Sequence, residues 1–419
     1  MDKIVIQGRR PLRGKVKVSG SKNAALPILA ASLLTHGKSE IRNLPDLADI
    51  HTMGKLLKDL GLKFQWWGGK ARLHANGYQK HVAAYNLVRT MRASVLVLGP
   101  LVARLGKAKV SLPGGCAIGA RPIHLHLKGL EAMGAKIRVE HGYVEAEARR
   151  LHGAVIHFDT VSVTGTENLM MAATLAEGRT LLENAAREPE VVDLANFLNA
   201  MGAKVQGAGT STIAIEGVEK LQGGAYSVMP DRIEAGTFLI AGCLPGSRIL
   251  LQGIAPEYVE SLLVKLQEAG AKVEIKPEGI HLTAPKKLQA VDISTAPYPG
   301  FATDLQAQFM ALMSVAGGSS VIRENIFENR FMHVGELIRM GAEIKLEGNS
   351  AVVRGVETLS GAPIMATDLR ASASLVIAGL AAEGITEITR VYHIDRGYEK
   401  IEKKFRKLGA RVKRVKVKY

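Results

Sequence analysis

The chain has 419 residues, of which 47% are hydrophobic and 22% charged, a composition typical of a globular protein rather than a disordered one. Lysine and arginine outnumber aspartate and glutamate by 55 to 39, which indicates an anionic partner: nucleic acid, an acidic membrane face or a phosphorylated small molecule. Two cysteines cannot form a disulfide framework, and they suit a reducing compartment.

Two apolar segments could be mistaken for membrane or export signals. Residues 24–34 follow a strand-like segment at residues 3–7, and no cleavage site comes after them, so we interpret them as a buried helix. The uncharged run 305–322 contains Gln, Ser and a Gly pair, which favours a buried helix and turn over a transmembrane span. We therefore predict a cytoplasmic protein without a membrane segment.

One phrase recurs along the chain: a helix-period apolar segment, a glycine and an alternating segment. Its glycines are spaced by 68 to 73 residues, at Gly61, Gly134, Gly202, Gly270, Gly341 and Gly409. A glycine after the last helical turn is the expected left-handed cap, and the alternation predicts a half-buried strand. About 24 residues upstream lies a second phrase, an apolar helix, a glycine and a strand, as near Gly37, Gly178 and Gly384.

Six mixed α/β units of about 70 residues predict either a solenoid or a few compact domains built by duplication. We favour two domains of three units, with a boundary beside Pro230. The first comprises residues 22–229, and the second comprises residues 1–21 and 230–419, with the N-terminal strand completing the last unit. Apolar helices enclosed by strands with polar outer faces would satisfy both patterns.

Cys116 lies in SLPGGCAIGARPIHL, residues 111–125, where prolines and glycines predict a loop. A thiol five residues before Arg121 on an electropositive loop is a candidate reactive group. The alternative is a small apolar side chain in a tight turn, and these residues leave both interpretations open. Cys243 lies in an apolar run and is predicted to be in the core.

Asp304 follows the Pro- and Gly-rich segment TAPYPGFA and begins an apolar run, which places it at or near a helix N-terminus. A carboxylate there can cap the helix or act as a general base. The sequence pattern leaves both roles open.

Cationic residues recur at loop-like or junction positions of the repeated units: Lys22, Arg92, Arg121, Arg330, Arg370 and Arg396. Together they predict a shared anion site, because arginine holds carboxylate and phosphate in a bidentate manner. Lys22 and Asn23 open the first helix, whose positive end also favours an anion.

Metal-ligand spacing, a Walker loop and a dinucleotide fingerprint are all missing from the sequence, which argues against a metal site, nucleotide hydrolysis and a dinucleotide cofactor. Aromatic residues make up 5% of the chain and are not interleaved with basic ones, which disfavours nucleic acid as the partner.

Long segments resemble, in chain order, the UDP-N-acetylglucosamine 1-carboxyvinyltransferase family, whose members begin bacterial peptidoglycan synthesis. They include SGSKNAALPILAA, LPGGCAIGARPIHLHL, FATDLQAQFMAL, FENRFMHVGELIRMGA and YHIDRGYEKIEKK. The resemblance implies two inside-out, barrel-like α/β domains, each a pseudo-threefold of βαβαββ units, with the active site in the cleft between them.

The resemblance also implies a reaction. Phosphoenolpyruvate is protonated at its methylene carbon by Cys116, and the 3-hydroxyl of UDP-N-acetylglucosamine attacks the adjacent carbon. Asp304 accepts the proton of that hydroxyl, and phosphate then leaves. The epoxide fosfomycin, which inactivates the family, would alkylate Cys116.

The remaining site residues follow from the same resemblance. Those around phosphoenolpyruvate are Lys22, Asn23, Arg121, Arg330, Arg370 and Arg396, with Lys22, Arg121 and Arg396 at the phosphate and Arg330 and Arg370 near the carboxylate. Those around the UDP-sugar are Arg92, Arg121, Pro122, Ile123, His124, Leu125, Val161, Ser162, Val163, Asp304 and Ile326. His124 stands where many relatives have Asp, and Thr160 where Lys is common, which affects side-chain contacts to the nucleotide.

Two other functions fit part of the pattern. 5-Enolpyruvylshikimate-3-phosphate synthase shares the donor and the Arg-rich site, but it lacks the PGGCAIGARP loop. A basic repeat protein that binds nucleic acid would explain the charge and the repeats, but it assigns no role to Cys116 or Asp304.

Overall fold

The structure is a computed structural model that describes residues 2–88, 91–112 and 123–416. These residues divide into two compact units. We call them the N-unit, which contains the described residues of 20–229, and the C-unit, which contains residues 2–19 and 230–416. Among the described residues, no helix combines the length and the apolarity that a membrane span requires.

Two strands at the start of the chain belong to the C-unit: β1 (Asp2–Gln7) and β2 (Arg13–Lys17). The N-unit then has the strands β3 (Thr35–His36), β4 (Lys38–Arg42), β5 (Lys63–Trp67), β6 (Lys70–His74), β7 (Val82–Ala83), β8 (Lys107–Ser111), β9 (Lys136–Glu140), β10 (Tyr143–Glu147), β11 (Val155–His157), β12 (Arg179–Glu183), β13 (Lys204–Gln206), β14 (Thr212–Glu216), β15 (Leu221–Gln222) and β16 (Ala225–Ser227). Its helices are α1 (Lys22–Ala31), α2 (Ala48–Asp59), α3 (Tyr85–Val88), α4 (Leu98–Leu105), α5 (Ile123–Ala132), α6 (Val163–Ala173) and α7 (Pro189–Ala200), with 3₁₀ turns at Ser32–Leu34 and Arg92–Val97.

The rest of the C-unit follows the same pattern. Its strands are β17 (Arg248–Gln252), β18 (Lys272–Lys276), β19 (Gly279–Thr283), β20 (Ile293–Ser294), β21 (Ser319–Arg323), β22 (Glu343–Glu347), β23 (Ser350–Arg354), β24 (Pro363–Met365), β25 (Ile385–Thr389) and β26 (Arg411–Lys416). Its helices are α8 (Arg232–Gly242), α9 (Glu260–Glu268), α10 (Thr303–Met313), α11 (Val334–Arg339), α12 (Leu369–Ala381) and α13 (Ile401–Lys407), with 3₁₀ turns at Pro256–Val259 and Val391–Arg396.

The sheets repeat one pattern in both units. Within the described residues, each unit has three four-stranded sheets: β16-β4-β6-β5, β7-β8-β10-β9 and β11-β12-β14-β13 in the N-unit, and β2-β17-β19-β18, β20-β21-β23-β22 and β24-β25-β1-β26 in the C-unit. In every sheet the first pair is parallel and the other two pairs are antiparallel. The six-fold repetition predicted from the glycine spacing is therefore confirmed.

The helices at the centre of each unit are buried on all sides. In the C-unit, α8, α10 and α12 are buried over nearly their full length and pack against one another. In the N-unit, α6 packs against α1 and α4 in the same way. The strands outside them alternate between buried and exposed residues, as in β6. A helix that is apolar on all sides must be enclosed by other elements, whereas a strand with alternating residues buries only one face of its sheet. Each unit therefore has the predicted inside-out α/β architecture, with helices inside and sheets outside.

The recurrent glycines end helices in the left-handed conformation. Gly61, Gly134, Gly202, Gly270, Gly341 and Gly409 all have positive φ, between 89° and 105°. Side chains with a Cβ rarely adopt this conformation, so glycine recurs where the chain leaves a helix and enters a strand. This confirms the cap that the repeated phrase predicts.

Strands from opposite ends of a unit's sequence close each unit. β1 pairs with β25 and β26, so it completes the last repeat as predicted. β2 instead pairs in parallel with β17 and completes the first sheet of the C-unit. In the N-unit, β16 pairs in parallel with β4, near the other end of its sequence. The N-terminal segment therefore contributes one strand to each of two sheets, whereas the sequence predicts that it completes only the last one.

Candidate functional site

Asp304 lies in the first turn of α10 and contacts two arginines from distant parts of the chain. Its Oδ1 accepts a hydrogen bond from Nη2 of Arg330 at 2.8 Å, and its Oδ2 accepts one from Nε of Arg370 at 3.1 Å. The N-cap position is occupied by Ala302, two residues earlier. Asp304 therefore does not cap the helix, so the cap interpretation is wrong. Its carboxylate forms ion pairs with the two arginines instead.

The two arginines are held in place by the elements that carry them. Arg370 is the second residue of α12, whose N-cap Asp368 accepts hydrogen bonds from the backbone N–H groups of Arg370 and Ala371. Arg330 lies in the turn that precedes α11, with its guanidinium 5.2 Å from the ring centre of Phe327. Both side chains are buried, whereas 26% of the Asp304 side chain is exposed.

The buried guanidinium groups retain donors that can bind a ligand. Nη1 of Arg330 and both Nη atoms of Arg370 are buried and have no hydrogen-bond acceptor among the described residues. A buried charged donor without an acceptor is costly, and a carboxylate or phosphate oxygen would satisfy it. These three nitrogens beside Asp304 therefore form a candidate anion site.

The charge on Arg370 is maintained despite its burial. Burial disfavours the cation, but interactions with Tyr398, Asp304 and Asp231 outweigh that effect and raise the pKa of Arg370 above its ordinary value. The hydroxyl of Tyr398 in turn contacts Thr237 at 2.9 Å and accepts a hydrogen bond from Gln308 at 3.1 Å. This network joins the second turns of α8 and α10 to Tyr398, which follows the 3₁₀ turn Val391–Arg396.

Two further predicted residues lie in the C-unit. Arg396 is the last residue of the 3₁₀ turn Val391–Arg396 and is half-buried. It contributes to the lowered pKa of His393, for which burial is the larger cause. The backbone N–H of Ile326 donates to the Glu324 carboxylate at 2.9 Å.

The N-unit places Lys22 and Asn23 at the start of α1. The side chain of Ser21 caps this helix by accepting a hydrogen bond from the N–H of Ala24. Nζ of Lys22 lies 3.4 Å from Oδ2 of Asp49, and both side chains are largely buried. The ammonium group is thus held at the positive end of a buried helix, where an anion is favoured.

The predicted nucleotide segments occupy the starts of two further helices in the N-unit. Ile123, His124 and Leu125 form the first turn of α5, and Val161, Ser162 and Val163 lead into α6, while Arg92 begins a 3₁₀ turn. The Ser162 hydroxyl caps α6 by accepting from the N–H of Gly165 at 3.1 Å. The starts of α5 and α6 lie close together, because the Lys128 ammonium donates to the Asp159 carboxylate at 3.0 Å and the Thr164 hydroxyl lies 3.3 Å from Nε2 of His126.

Cys116, Arg121 and Pro122 lie outside the described residues, so the predictions for them remain predictions. Cys243 is fully buried, and burial raises the pKa of its thiol, which confirms that it is a core residue. Within the described residues, no group of three His, Cys, Asp or Glu side chains could hold a metal ion.

Asp49 and Glu324 contact the predicted set and were not predicted from the sequence. Asp49 pairs with Lys22, and Glu324 accepts hydrogen bonds from Ile326 and Thr303. Asp49 follows an ordinary helix start and gives no signal in the sequence. Glu324 lies two residues before Ile326, and this closeness in sequence is the one signal that links it to the predicted site.

Comparison with known proteins gives consistent results. The profile of the EPSP synthase (3-phosphoshikimate 1-carboxyvinyltransferase) family matches residues 6–405. The chain is 61% identical to the UDP-N-acetylglucosamine 1-carboxyvinyltransferase of Trichlorobacter lovleyi over 99% of both chains, and 59% identical to that of Geobacter metallireducens over 99% of this chain and 100% of the relative.

Solved structures share the fold over the whole length. The enolpyruvyl transferase NikO from Streptomyces tendae superposes with a TM-score of 0.87 at 25% identity, covering 99% of this chain and 98% of that one. EPSP synthase from Acinetobacter baumannii superposes with a TM-score of 0.76 at 18% identity, covering 99% of this chain and 100% of that one.

Proposed function

The chain belongs to the UDP-N-acetylglucosamine 1-carboxyvinyltransferases, within the EPSP synthase family, and on this premise we propose that it transfers the enolpyruvyl group of phosphoenolpyruvate to the 3-hydroxyl of UDP-N-acetylglucosamine. The observation that carries the proposal is Asp304 beside the three unsatisfied guanidinium nitrogens of Arg330 and Arg370. A carboxylate next to buried cationic donors suits a reaction that joins an anionic donor to a hydroxyl acceptor.

The donor would bind through its anionic groups. Arg330 and Arg370 would hold the carboxylate of phosphoenolpyruvate with the N–H groups that lack acceptors. Lys22, Arg121 and Arg396 would surround the phosphate, with Asn23 beside Lys22, and the Lys22–Asp49 pair supports this role because it immobilises the ammonium.

The chemistry proceeds by addition and elimination. Cys116 donates its proton to the methylene carbon, and the neighbouring carbon becomes electron-poor. The 3-hydroxyl oxygen bonds to that carbon while Asp304 accepts its proton. The carbon–oxygen bond to phosphate then breaks, and the proton held by Asp304 leaves with the phosphate. The Cys116 thiolate takes back a methyl proton, which restores the double bond. Every atom and electron is balanced by the two substrates, so the reaction needs no cofactor.

The acceptor would be bound by the helix starts of the N-unit. The positive ends of α5 and α6 suit the diphosphate. We assign the UDP-sugar to Arg92, Arg121, Pro122, Ile123, His124, Leu125, Val161, Ser162, Val163, Asp304 and Ile326. His124 and Thr160 replace the Asp and Lys common in relatives, so backbone contacts would carry more of the nucleotide binding here. A UDP-sugar acceptor and two cysteines support a role in the cytoplasm, at the first committed step of peptidoglycan synthesis.

The test is phosphate release from phosphoenolpyruvate with each acceptor in turn. We expect release that depends on UDP-N-acetylglucosamine and is absent with shikimate 3-phosphate or with no acceptor. Release with shikimate 3-phosphate alone would show that the chain acts as the other enzyme of this fold. Salt-dependent binding to unrelated DNA, with no turnover on either acceptor, would support the nucleic-acid alternative.

A further inference from the structure

Glu324 is a buried carboxylate that joins three segments around Asp304. It follows β21 directly, and 3% of the residue is exposed. Its Oε1 accepts hydrogen bonds from the Thr295 hydroxyl at 2.9 Å and from the backbone N–H groups of Ile326 at 2.9 Å and Phe327 at 3.2 Å. Its Oε2 accepts one from the Thr303 hydroxyl at 2.8 Å.

The partners of Glu324 are all uncharged. No lysine, arginine or histidine lies within ion-pair distance of it in the part of the chain that the structure describes. Two of its donors are backbone N–H groups, which cannot accept a hydrogen bond in return, so only an acceptor can occupy this position. Burying a carboxylate among neutral groups is costly unless its oxygens are satisfied, and here four donors satisfy them.

The segments held by Glu324 carry the proposed site residues. Thr303 is the first residue of α10 and immediately precedes Asp304. Ile326 belongs to the proposed UDP-sugar contacts, and the Phe327 ring lies beneath the guanidinium of Arg330. The Glu324 side chain thus connects the turn that carries Asp304 with the segment that contains Ile326 and with the ring that packs against Arg330.

The start of α10 lacks a side-chain N-cap, although Gln308 donates to the Asp304 carbonyl and two arginines donate to the Asp304 carboxylate. Its N-cap residue is Ala302, which has no side-chain oxygen, so the usual capping hydrogen bond is missing at this helix. By contrast, α8 and α12 are capped by Asp231 and Asp368. The hydrogen bond from Thr303 to Glu324 therefore restrains the turn that carries Asp304 from outside the helix.

We propose that Glu324 is a positioning residue that acts through Thr303 to hold the Asp304 carboxylate in the orientation required for proton transfer. This inference rests on the proposed function, in which Asp304 receives the proton of the 3-hydroxyl. Displacing a reacting group by about 1 Å can reduce turnover on the order of 100-fold, so a lost orienting hydrogen bond is measurable.

The first test compares Thr303→Val with Thr303→Ser. Valine has nearly the shape of threonine but cannot donate to Glu324, whereas serine keeps the hydroxyl. We expect Thr303→Val to lower kcat on the order of 10-fold or more, with KM for phosphoenolpyruvate nearly unchanged. Thr303→Ser should retain most of the wild-type kcat. Thr358→Val is the matched control, because the Thr358 hydroxyl donates only to the carbonyl of the next residue, and it should keep wild-type kcat.

The second test asks whether Thr303 acts through Asp304. If it does, Thr303→Val should lower kcat no further in the Asp304→Asn background, because the group being oriented is already absent. An equal loss in both backgrounds, or wild-type kcat for Thr303→Val, would overturn the positioning role. Acceptor-dependent phosphate release by the wild type establishes the proposed function independently of these variants.

Substitution of Glu324 itself provides a further check that does not depend on Thr303. Glu324→Gln keeps one oxygen for the backbone N–H groups and can turn its amide nitrogen toward the Thr303 hydroxyl, which can accept. Glu324→Ala leaves all four donors without an acceptor. We expect the Gln variant to retain at least several times the kcat of the Ala variant when both are folded, and equal values would contradict the proposal.

Discussion

Asp304 is held by two guanidinium groups and is still partly exposed, which is the arrangement expected of a group that meets a substrate. Asp304→Asn keeps the shape and one oxygen but removes the negative charge. We expect kcat to fall on the order of 100-fold, and the thermal unfolding midpoint to fall as well, because one buried guanidinium loses its acceptor and both lose their counter-charge. Steady-state phosphate release and circular dichroism would measure the two quantities.

The matched control for that variant is Asp292→Asn in the same unit. Oδ1 of Asp292 accepts a hydrogen bond from the backbone N–H of Val321 at 2.7 Å, and the residue is exposed. It should retain full turnover. Near-normal turnover of Asp304→Asn would exclude the base role and leave the residue as an ion-pair partner of Arg330 and Arg370.

The two cysteines are expected to differ in reactivity toward an epoxide. Cys243 is fully buried, and burial raises the pKa of its thiol, so its thiolate is scarce and inaccessible. We predict one fosfomycin adduct per chain, on Cys116, detected by intact mass and peptide mapping. Cys116→Ser should give no adduct and Cys243→Ala should give one, and labelling of Cys243 alone would show that Cys116 is not the reactive thiol.

At the level of helices, the proposed chemistry collects at N-terminal turns. Lys22 opens α1, Asp304 and Arg370 lie in the first turns of α10 and α12, and Val163 opens α6. The rest of each of these helices is buried. Their first turns are where polar side chains can reach a ligand while the helix body supplies the core.

Two glycines six residues apart, one inside α11 and one just after it, are expected to respond to alanine substitution with opposite changes in stability. Gly341 ends α11 with φ of 92°, and a Cβ there would meet no atom within 4 Å. Gly335 lies within α11 with equally open space and without a positive φ. Gly341→Ala should destabilise the protein by about 1–2 kcal/mol through backbone strain. Gly335→Ala should stabilise it by up to about 1 kcal/mol through helix propensity.

Thermal unfolding followed by circular dichroism measures this pair directly. The expected shifts of the midpoint have opposite signs, although the atoms added are the same. Shifts in the same direction would show that the left-handed cap is not the reason for the glycine at position 341.

At the scale of the whole molecule, each unit contains a buried neutral histidine that links stability to pH. Burial lowers the pKa of His126 to about 4, with a smaller contribution from His124. Burial likewise lowers the pKa of His333 to about 4, partly opposed by Asp368 and reinforced by Arg330. In the unfolded chain both titrate near 6.5, so the unfolded state takes up protons first as the pH falls.

The stability that these histidines confer is therefore present above pH 6.5 and is lost as the pH falls toward 4. A pKa difference of this size corresponds to roughly 3 kcal/mol for each group when the loss is complete. We expect the unfolding midpoint to fall between pH 7 and pH 4.5, and to fall less steeply in the double variant His126→Gln, His333→Leu. His157→Gln, an exposed control, should leave the slope unchanged, and an equal slope in all three proteins would refute the linkage.

Local patterns in the chain were enough to predict the repeated architecture. Glycine at a fixed spacing, helix-period apolar runs and strand-like alternation depend on neighbours within a few residues, and so they can be read along the sequence. The buried helix and the turn after it within residues 305–322 are confirmed, although the run ends in strand β21, and the buried Cys243 and the left-handed glycines are confirmed as well. The long family motifs are equally local and indicate the family.

Contacts between distant segments required the folded chain. Asp304 meets Arg330 and Arg370, which lie 26 and 66 residues away, and the first turns of two different helices must pack together before these groups can touch. The division of the N-terminal segment between β1 and β2 depends in the same way on which sheet edge each strand can reach. The role of Glu324 was hidden for the same reason, since a side chain's hydrogen-bond partners are set by packing and not by its neighbours in sequence.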